Sequence, residues 1–266
     1  MPVLVGLDFE TTGLADPRMC AVGMAMYDVT PGTPDDRGAC DVKNEAFSIK
    51  ATSFIIDPGD VPFEASAILT HGITPEIAKK WGRSERDAVT QINNWLALSD
   101  YVVAYNGNSF DRALLRAADQ RHDSSLPLRT WIDPFVDIEA HNKADDLTGQ
   151  CAKHGFLVGD AHTALADVSA MMRLLLMHDI NRLIEVAASP MVYLRAEVTY
   201  DEKDLAKNRG YKWDKPNMPK SWVLETREMF MQKEIDDAPF GLDIAKNGKW
   251  ELLRPKKSAH PGVTEI

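Results

Sequence analysis

The 266-residue sequence predicts an α/β fold: a mixed five-stranded sheet flanked by helices over residues 1–189, then a small α+β module over 190–266. Three observations carry this expectation. Three strand-like apolar runs follow one another with short connections, strands and amphipathic helices alternate after them, and the pattern resets beyond Ser189-Pro190. Such a length accommodates one large domain and an appendage. With 44% hydrophobic and 26% charged residues the chain can bury a core, which excludes a disordered or collagen-like polypeptide.

PVLVGLDF (2–9), rich in Val and Leu, reads as a buried strand. MCAVGMAMYDV (19–29) and EAFSIKATSFII (45–56) follow as strands, with the turn-forming TPGTPDDRG between them, so an antiparallel meander is expected. SERDAVTQINNWLAL (84–98) predicts a helix with Ser84 as N-cap and Val89, Ile92 and Leu96 on one face. YVVAYN (101–106) predicts a strand, SFDRALLRAADQRH (109–122) a helix, and RTWIDP (129–134) a fifth strand ended by Pro134. One long helix is expected over 163–187, its apolar face formed by Leu165, Val168, Met172, Leu175 and Leu176. In the module, MVYLRAEVTY reads as a strand, DEKDLAKNRG as a short helix closed by Gly210, SWVLE as a strand and TREMFMQKEI as a helix.

The formal net charge of −10 argues at first against an anionic partner. It is unevenly distributed. Residues 190–266 hold 14 basic and 13 acidic groups, which leaves 16 and 27 for residues 1–189. Cys20, Cys40 and Cys151 form no Cys-x-x-Cys pair, which suits a reducing compartment and speaks against zinc-thiolate sites. The N-terminal run lacks a basic n-region, and no stretch approaches the ~20 apolar residues that span a bilayer. A cytoplasmic protein without membrane attachment is expected.

Asp8 and Glu10 are two residues apart at the end of the first strand, hence on one face. Two such carboxylates fit either a solvated strand end or ligands for a hard divalent cation. In NGNSFD (106–111), Asn106 ends a strand and Asp111 opens a helix; taken alone, the segment reads first as a capped helix start, with Asn108 or Ser109 as N-cap and Asp111 as a first-turn acid. His162 and Asp167 are five residues apart, about 140° on a helix. They converge only if His162 lies on the turn before the helix and Asp167 on its inward side.

Together the three segments, in this order and each in its expected local structure, arise by chance on the order of once in thousands. The pattern resembles the DEDDh branch of the DEDD 3′–5′ exonucleases, whose members include replicase proofreading (epsilon) subunits, exonuclease X and RNase T. The resemblance covers roughly residues 2–187, including FEASAILTHGITPEIAKK (63–80). It implies a ribonuclease H-like fold and phosphodiester hydrolysis from a 3′ end that releases nucleoside 5′-monophosphates. By the same resemblance Asp8, Glu10, Asp111 and Asp167 are the ligands of two Mg²⁺ or Mn²⁺ ions, with Asp8 bridging, and His162 is the general base. Thr11, Thr12, Gly13 and Leu14 match positions around the terminal nucleotide, with Leu14 as a wedge, and Asn106 and Phe110 match the second motif. Tyr105 departs from the family, where many relatives have His.

The expected partners are DNA 3′ ends, preferably single-stranded or frayed, with RNA 3′ ends as the alternative and a binding-only protein as a more distant one. Proofreading, DNA repair or DNA degradation, with a replication or repair protein as partner, is the expected setting. Six basic residues lie between 203 and 220 (Lys203, Lys207, Arg209, Lys212, Lys215, Lys220), interleaved with Tyr211 and Trp213 and followed by Trp222. The aromatic residues fit the core of a small module or a single-strand-binding surface, and the two readings are compatible. The segment resembles a small module appended to some bacterial and phage exonucleases, which implies substrate engagement or docking.

Overall fold

The structure is a computed structural model that describes residues 1–32, 44–139, 145–215, 218–246 and 249–254. Most of the TPGTPDDRG loop, Cys40 and the basic tail beyond Arg254 lie outside the described residues. The chain divides into two compact units, one of Met1–Ile138 with Leu147–Ala187, the other of Glu139–Asp146 with Ala188–Ile266. Among the described residues, no helix is long and apolar enough to cross a membrane.

In the first unit the elements run β1 (Val3–Thr11), β2 (Met19–Thr30), β3 (Glu45–Asp57), α1 (Ala65–His71), α2 (Pro75–Trp81), β4 (Arg83–Ser84), α3 (Glu85–Ala97) and β5 (Tyr101–Val103). They continue with α4 (Asp111–Arg121), β6 (Thr130–Ile132), α5 (Pro134–Asp137), α6 (Leu147–Lys153), α7 (Ala164–Leu175) and α8 (Ile180–Ala188). The strands form a mixed sheet of order β4-β3-β2-β1-β5-β6: β1, β2 and β3 make the expected antiparallel meander, and β5 and β6 add in parallel. The sixth strand is the two-residue β4, which pairs with the last residues of β3 at the sheet edge.

Side-chain alternation along β1 divides the core. Val5, Leu7 and Phe9 join Ile92, Trp95, Leu96, Leu114 and Leu115 of α3 and α4, whereas Leu4 joins Val168, Met171 and Met172 of α7. Asp8 and Glu10 have the parity of Leu4 and so belong to the α7 side. Each buried Leu or Val contributes on the order of 1.5–3 kcal/mol, enough to fix this register.

Two predicted elements are shorter than expected. The strand at 101–106 ends at Val103, because the buried Asp133 carboxylate accepts from the backbone N–H groups of Asn106 (2.7 Å) and Asn108 (3.1 Å) and turns the chain. The single helix expected over 163–187 is two. The Asn44 amide donates to the carbonyls of Leu176 and His178, both at 2.8 Å, and Asp179 accepts from the Arg182 N–H at 3.2 Å, starting α8 afresh.

The second unit contains β7 (Met191–Glu197), α9 (Lys203–Asn208), β8 (Lys212–Lys215), β9 (Met218–Arg227), α10 (Glu228–Asp237), β10 (Gly241–Lys246) and β11 (Lys249–Arg254). Its antiparallel sheet has the order β11-β10-β7-β9-β8. Leu194, Leu224, Leu242 and Ile244 pack from that sheet against Ala206 of α9 and, on the α10 side, Met231 and Ile235.

Candidate active site

The site grows from the C-terminal end of β1, the strand held between β2 and β5. Asp8 lies opposite Gly23 of β2. A Cβ on Gly23 would come within 2.3–2.5 Å of the Ala164 and Leu165 backbone, so only glycine lets the first turn of α7 rest on the sheet here. That approach delivers Asp167. Ligand oxygens of Asp8, Glu10 and Asp167 lie within 4.8 Å of one another. Asp111, at the first turn of α4, is 4% exposed, and its carboxylate accepts from the Phe9 N–H of β1.

The electrostatics are those of crowded anions. Burial, then Asp111, Glu10 and Asp167, push the Asp8 carboxyl well above the usual range. Burial with Asp167 and Asp111 pushes Glu10 up to about 7. Burial also takes Asp111 to about 7, although N–H donors from its own residue and Phe9 oppose the shift. Asp167 is raised by burial and eased down by the His162 N–H and side chain. Among the described residues, no Lys or Arg forms an ion pair with any of the four. Such a set is ready for a hard divalent cation, which would offset the repulsion and satisfy the oxygens.

His162 lies on the turn before α7, exposed, with φ 67°. Its N–H donates to Asp167 Oδ2 at 3.0 Å, which holds the residue in this left-handed conformation beside the carboxylates. The arrangement that the five-residue spacing demanded is therefore present.

The other expected residues form two loops. Thr11 and Thr12 are buried, with the Thr11 hydroxyl donating to the Gly13 carbonyl (3.1 Å) and the Thr12 hydroxyl accepting from the Arg18 N–H (3.2 Å). Leu14 stands 77% exposed. In the second loop Asn106 is exposed at φ 57°, its side-chain oxygen accepting from Ser109, while Phe110 packs against the core. Phe110, rather than Asn108 or Ser109, occupies the N-cap position of α4, without a side-chain capping bond. Tyr105 packs edge-on against Phe135 at 5.6 Å. Among the described residues, no hydrogen bond joins Leu14, Asn106 or Phe110 to the carboxylates.

Three supporting residues escaped the sequence reading. Glu64 accepts from the N–H groups of both Leu14 and Ala15 at 2.9 Å, and its carboxylate occupies the place a Gly13 side chain would take. The link spans 50 residues and leaves no local signal. His71 is held neutral, its basicity lowered by burial: Nδ1 accepts from the Ile73 N–H, so Nε2 donates to the Thr11 carbonyl at 3.0 Å. Asp133 fixes the Asn106 loop and is pushed by burial to about 7. An acid directly before Pro134 is a helix-start signature and could have revealed it.

The structure thus gathers Asp8, Glu10 and Asp167 at the end of β1, with Asp111 and the His162 turn next to them. The exonuclease family model matches residues 5–175, and the chain belongs to that family. The fold is similar to that of E. coli Exonuclease I in complex with a dT13 oligonucleotide, with a TM-score of 0.56 and 19% identity over 78% of this chain and 51% of that one. The zinc-bound form of the E. coli ExoI–ssDNA complex gives a TM-score of 0.55 and 19% identity over 78% and 50%. The matched region thus spans about half the length of those structures. No curated protein matches the chain in sequence.

Proposed function

We propose that the protein is a Mg²⁺- or Mn²⁺-dependent 3′–5′ exonuclease that removes nucleotides from single-stranded or frayed DNA 3′ ends and releases nucleoside 5′-monophosphates. The carrying observation is the convergence of Asp8, Glu10 and Asp167 within 4.8 Å, with Asp111 raising the Asp8 carboxyl and no Lys or Arg pairing with the four among the described residues. The family match and the fold shared with an exonuclease–ssDNA complex support it.

Asp8, Glu10, Asp111 and Asp167 are the residues that would hold two ions. When bound, these neutralise phosphate charge and supply a reactive water at neutral pH. The protein does the rest. His162 accepts a proton from the attacking water, the general-base role that an imidazole can fill. Attack at phosphorus breaks the bond to the 3′-oxygen of the penultimate nucleotide. The buried Thr11 and Thr12 and the Gly13 turn seat the terminal nucleotide, and Leu14 presents an apolar side chain to the last base. Asn106 and Phe110 border the site through the loop that Asp133 fixes. Residues 1–189 form the exonuclease domain, and residues 190–266 a module that engages nucleic acid. Proofreading or repair in the cytoplasm suits this chemistry.

The test compares 5′- and 3′-labelled single-stranded DNA, duplex DNA and single-stranded RNA with Mg²⁺, Mn²⁺ or EDTA. Mononucleotides released from the 3′ end of DNA, abolished by EDTA, are expected. Release from RNA alone would move the substrate to the ribonuclease alternative, and EDTA-resistant or 5′-end release would overturn the reading.

A further inference from the structure

Two exposed aromatic side chains of the second unit, Trp213 and Tyr200, are left unexplained by its own packing. Trp222 of β9 is half-buried against the core of the unit. Trp213 of β8, its cross-strand partner, leans on it with ring centroids 5.6 Å apart, yet is 53% exposed. Among the described residues β8 is an edge strand of its sheet, with β9 as its one partner. Tyr200, just before α9, is 80% exposed, and Lys203 Nζ lies 3.6 Å from the centre of its ring. One ring face thus carries a cation while the other is open to stacking.

Lysines lie close to these aromatic residues in sequence. Lys203 and Lys207 are one turn apart on α9, and Lys212 and Lys220 flank Trp213 and Trp222 in sequence, both exposed. Residues 200–222 carry six basic and four acidic groups, in a protein whose net charge is −10. Of the acids, Glu202 is tied to the Thr199 N–H and hydroxyl, while Asp201 and Asp204 are exposed. Arg209 is already spent on Glu234 of α10 and belongs to the scaffold.

Solvent-exposed Trp and Tyr rings beside lysines match the chemistry of a single strand of nucleic acid, whose bases stack and whose phosphates attract the ammonium groups. We infer that Trp213, Tyr200 and the lysines around α9 form a second binding site for single-stranded DNA, built from residues other than the carboxylate set. This inference rests on the nucleic-acid-engaging role proposed for residues 190–266, names the side chains that carry it, and does not depend on hydrolysis.

The experiment uses the full chain in EDTA, where no cleavage interferes, and measures fluorescence anisotropy of a labelled dT20 strand across a salt series. Trp213→Ala combined with Tyr200→Ala should weaken binding at least ~10-fold, since two stacking contacts are removed. Trp213→Phe, which retains a stacking face, should restore most of the affinity. Lys203→Gln with Lys207→Gln should flatten the salt dependence by about two phosphate contacts. With divalent metal restored, every variant should hydrolyse a dinucleotide at the wild-type rate, so a failed exonuclease reading and a failed second site give different results. Wild-type affinity and salt slope in the Trp213/Tyr200 variant would overturn the inference. So would a Trp213→Phe protein as weak as the alanine variant while its circular dichroism and melting are unchanged, because stacking would then not be the cause.

Discussion

Glu85, at the first turn of α3, and the four carboxylates around Asp8 are all largely withdrawn from water, yet their charge is handled in opposite ways. Glu85 accepts from the Arg121 guanidinium at 2.5 and 3.1 Å and from His122 at 2.8 Å. Burial alone would raise its carboxyl, but those partners outweigh it and hold it below the usual range. Around Asp8 the neighbours are other acids, and every carboxyl moves up. One cluster is neutralised from within the chain, and the other, among the described residues, is not. The contrast separates a group that holds α3 to α4 from the set to which the proposed function assigns the chemistry.

The largest test removes one member of the uncompensated set. Asp8→Asn should lower 3′-end hydrolysis at least ~10³-fold, because a lost ligand forfeits several kcal/mol of transition-state charge stabilisation. The same change should raise the melting temperature of the metal-free protein at pH 8, since it removes a buried repulsion. Turnover within tenfold of wild type, or a lower melting temperature, would break the comparison.

Glu85→Gln is the mirror experiment. It strips the charge from hydrogen bonds to Arg121 and His122 and should cost about 1.5–3 kcal/mol of stability in urea unfolding, with hydrolysis at 25 °C unchanged. The pH dependence sharpens this. Folded Glu10 and Asp111 titrate near 7, against roughly 4 when unfolded. Between those values the folded state holds more protons, so stability should fall as pH rises from about 4 to 7 in EDTA. Glu85 runs the other way: its contribution is present above the unfolded pKa and is lost as pH falls through the depressed folded one. Melting temperatures should therefore decline between about pH 5 and pH 7 in wild type, decline less steeply in Asp8→Asn, which removes the raised carboxyl of Asp8 but leaves those of Glu10 and Asp111, and shift down in parallel in Glu85→Gln. A flat wild-type profile would sink the assignment of repulsion to the Asp8 cluster.

How much of this was legible in the sequence depends on the reach of each interaction. The parity of Asp8 and Glu10 follows from a period of two, and the turn position of His162 from the angle between residues five apart. Both are local rules, and the structure obeys them. The break between α7 and α8 is set by Asn44, more than 130 residues upstream of the carbonyls it binds, so the continuous apolar pattern concealed it. Val103 ends β5 because Asp133 claims two N–H groups of the following turn. In the second unit, β8, β10 and β11 are short and mix charged with apolar residues, so they become strands through their ladders rather than through a pattern of their own.

The smallest effect concerns Glu64, whose carboxylate plays neither of the two electrostatic roles above and instead shapes the Leu14 loop. Glu64→Ala removes the acceptor for two N–H groups that water can reach, so folding should change little. The loop should lose its fixed path, raising KM for a 3′ end about tenfold with kcat within two- to threefold. Gly13→Ala attacks the same contact from the other side: its Cβ would lie 2.2 Å from Glu64 Cδ, at a backbone φ of 152°. If the two residues act on one loop conformation, Gly13→Ala should cost less in the Glu64→Ala background, because the collision partner is gone and only backbone strain remains. Additive losses in KM would show that Glu64 and Gly13 act on the 3′ end independently rather than through one loop conformation.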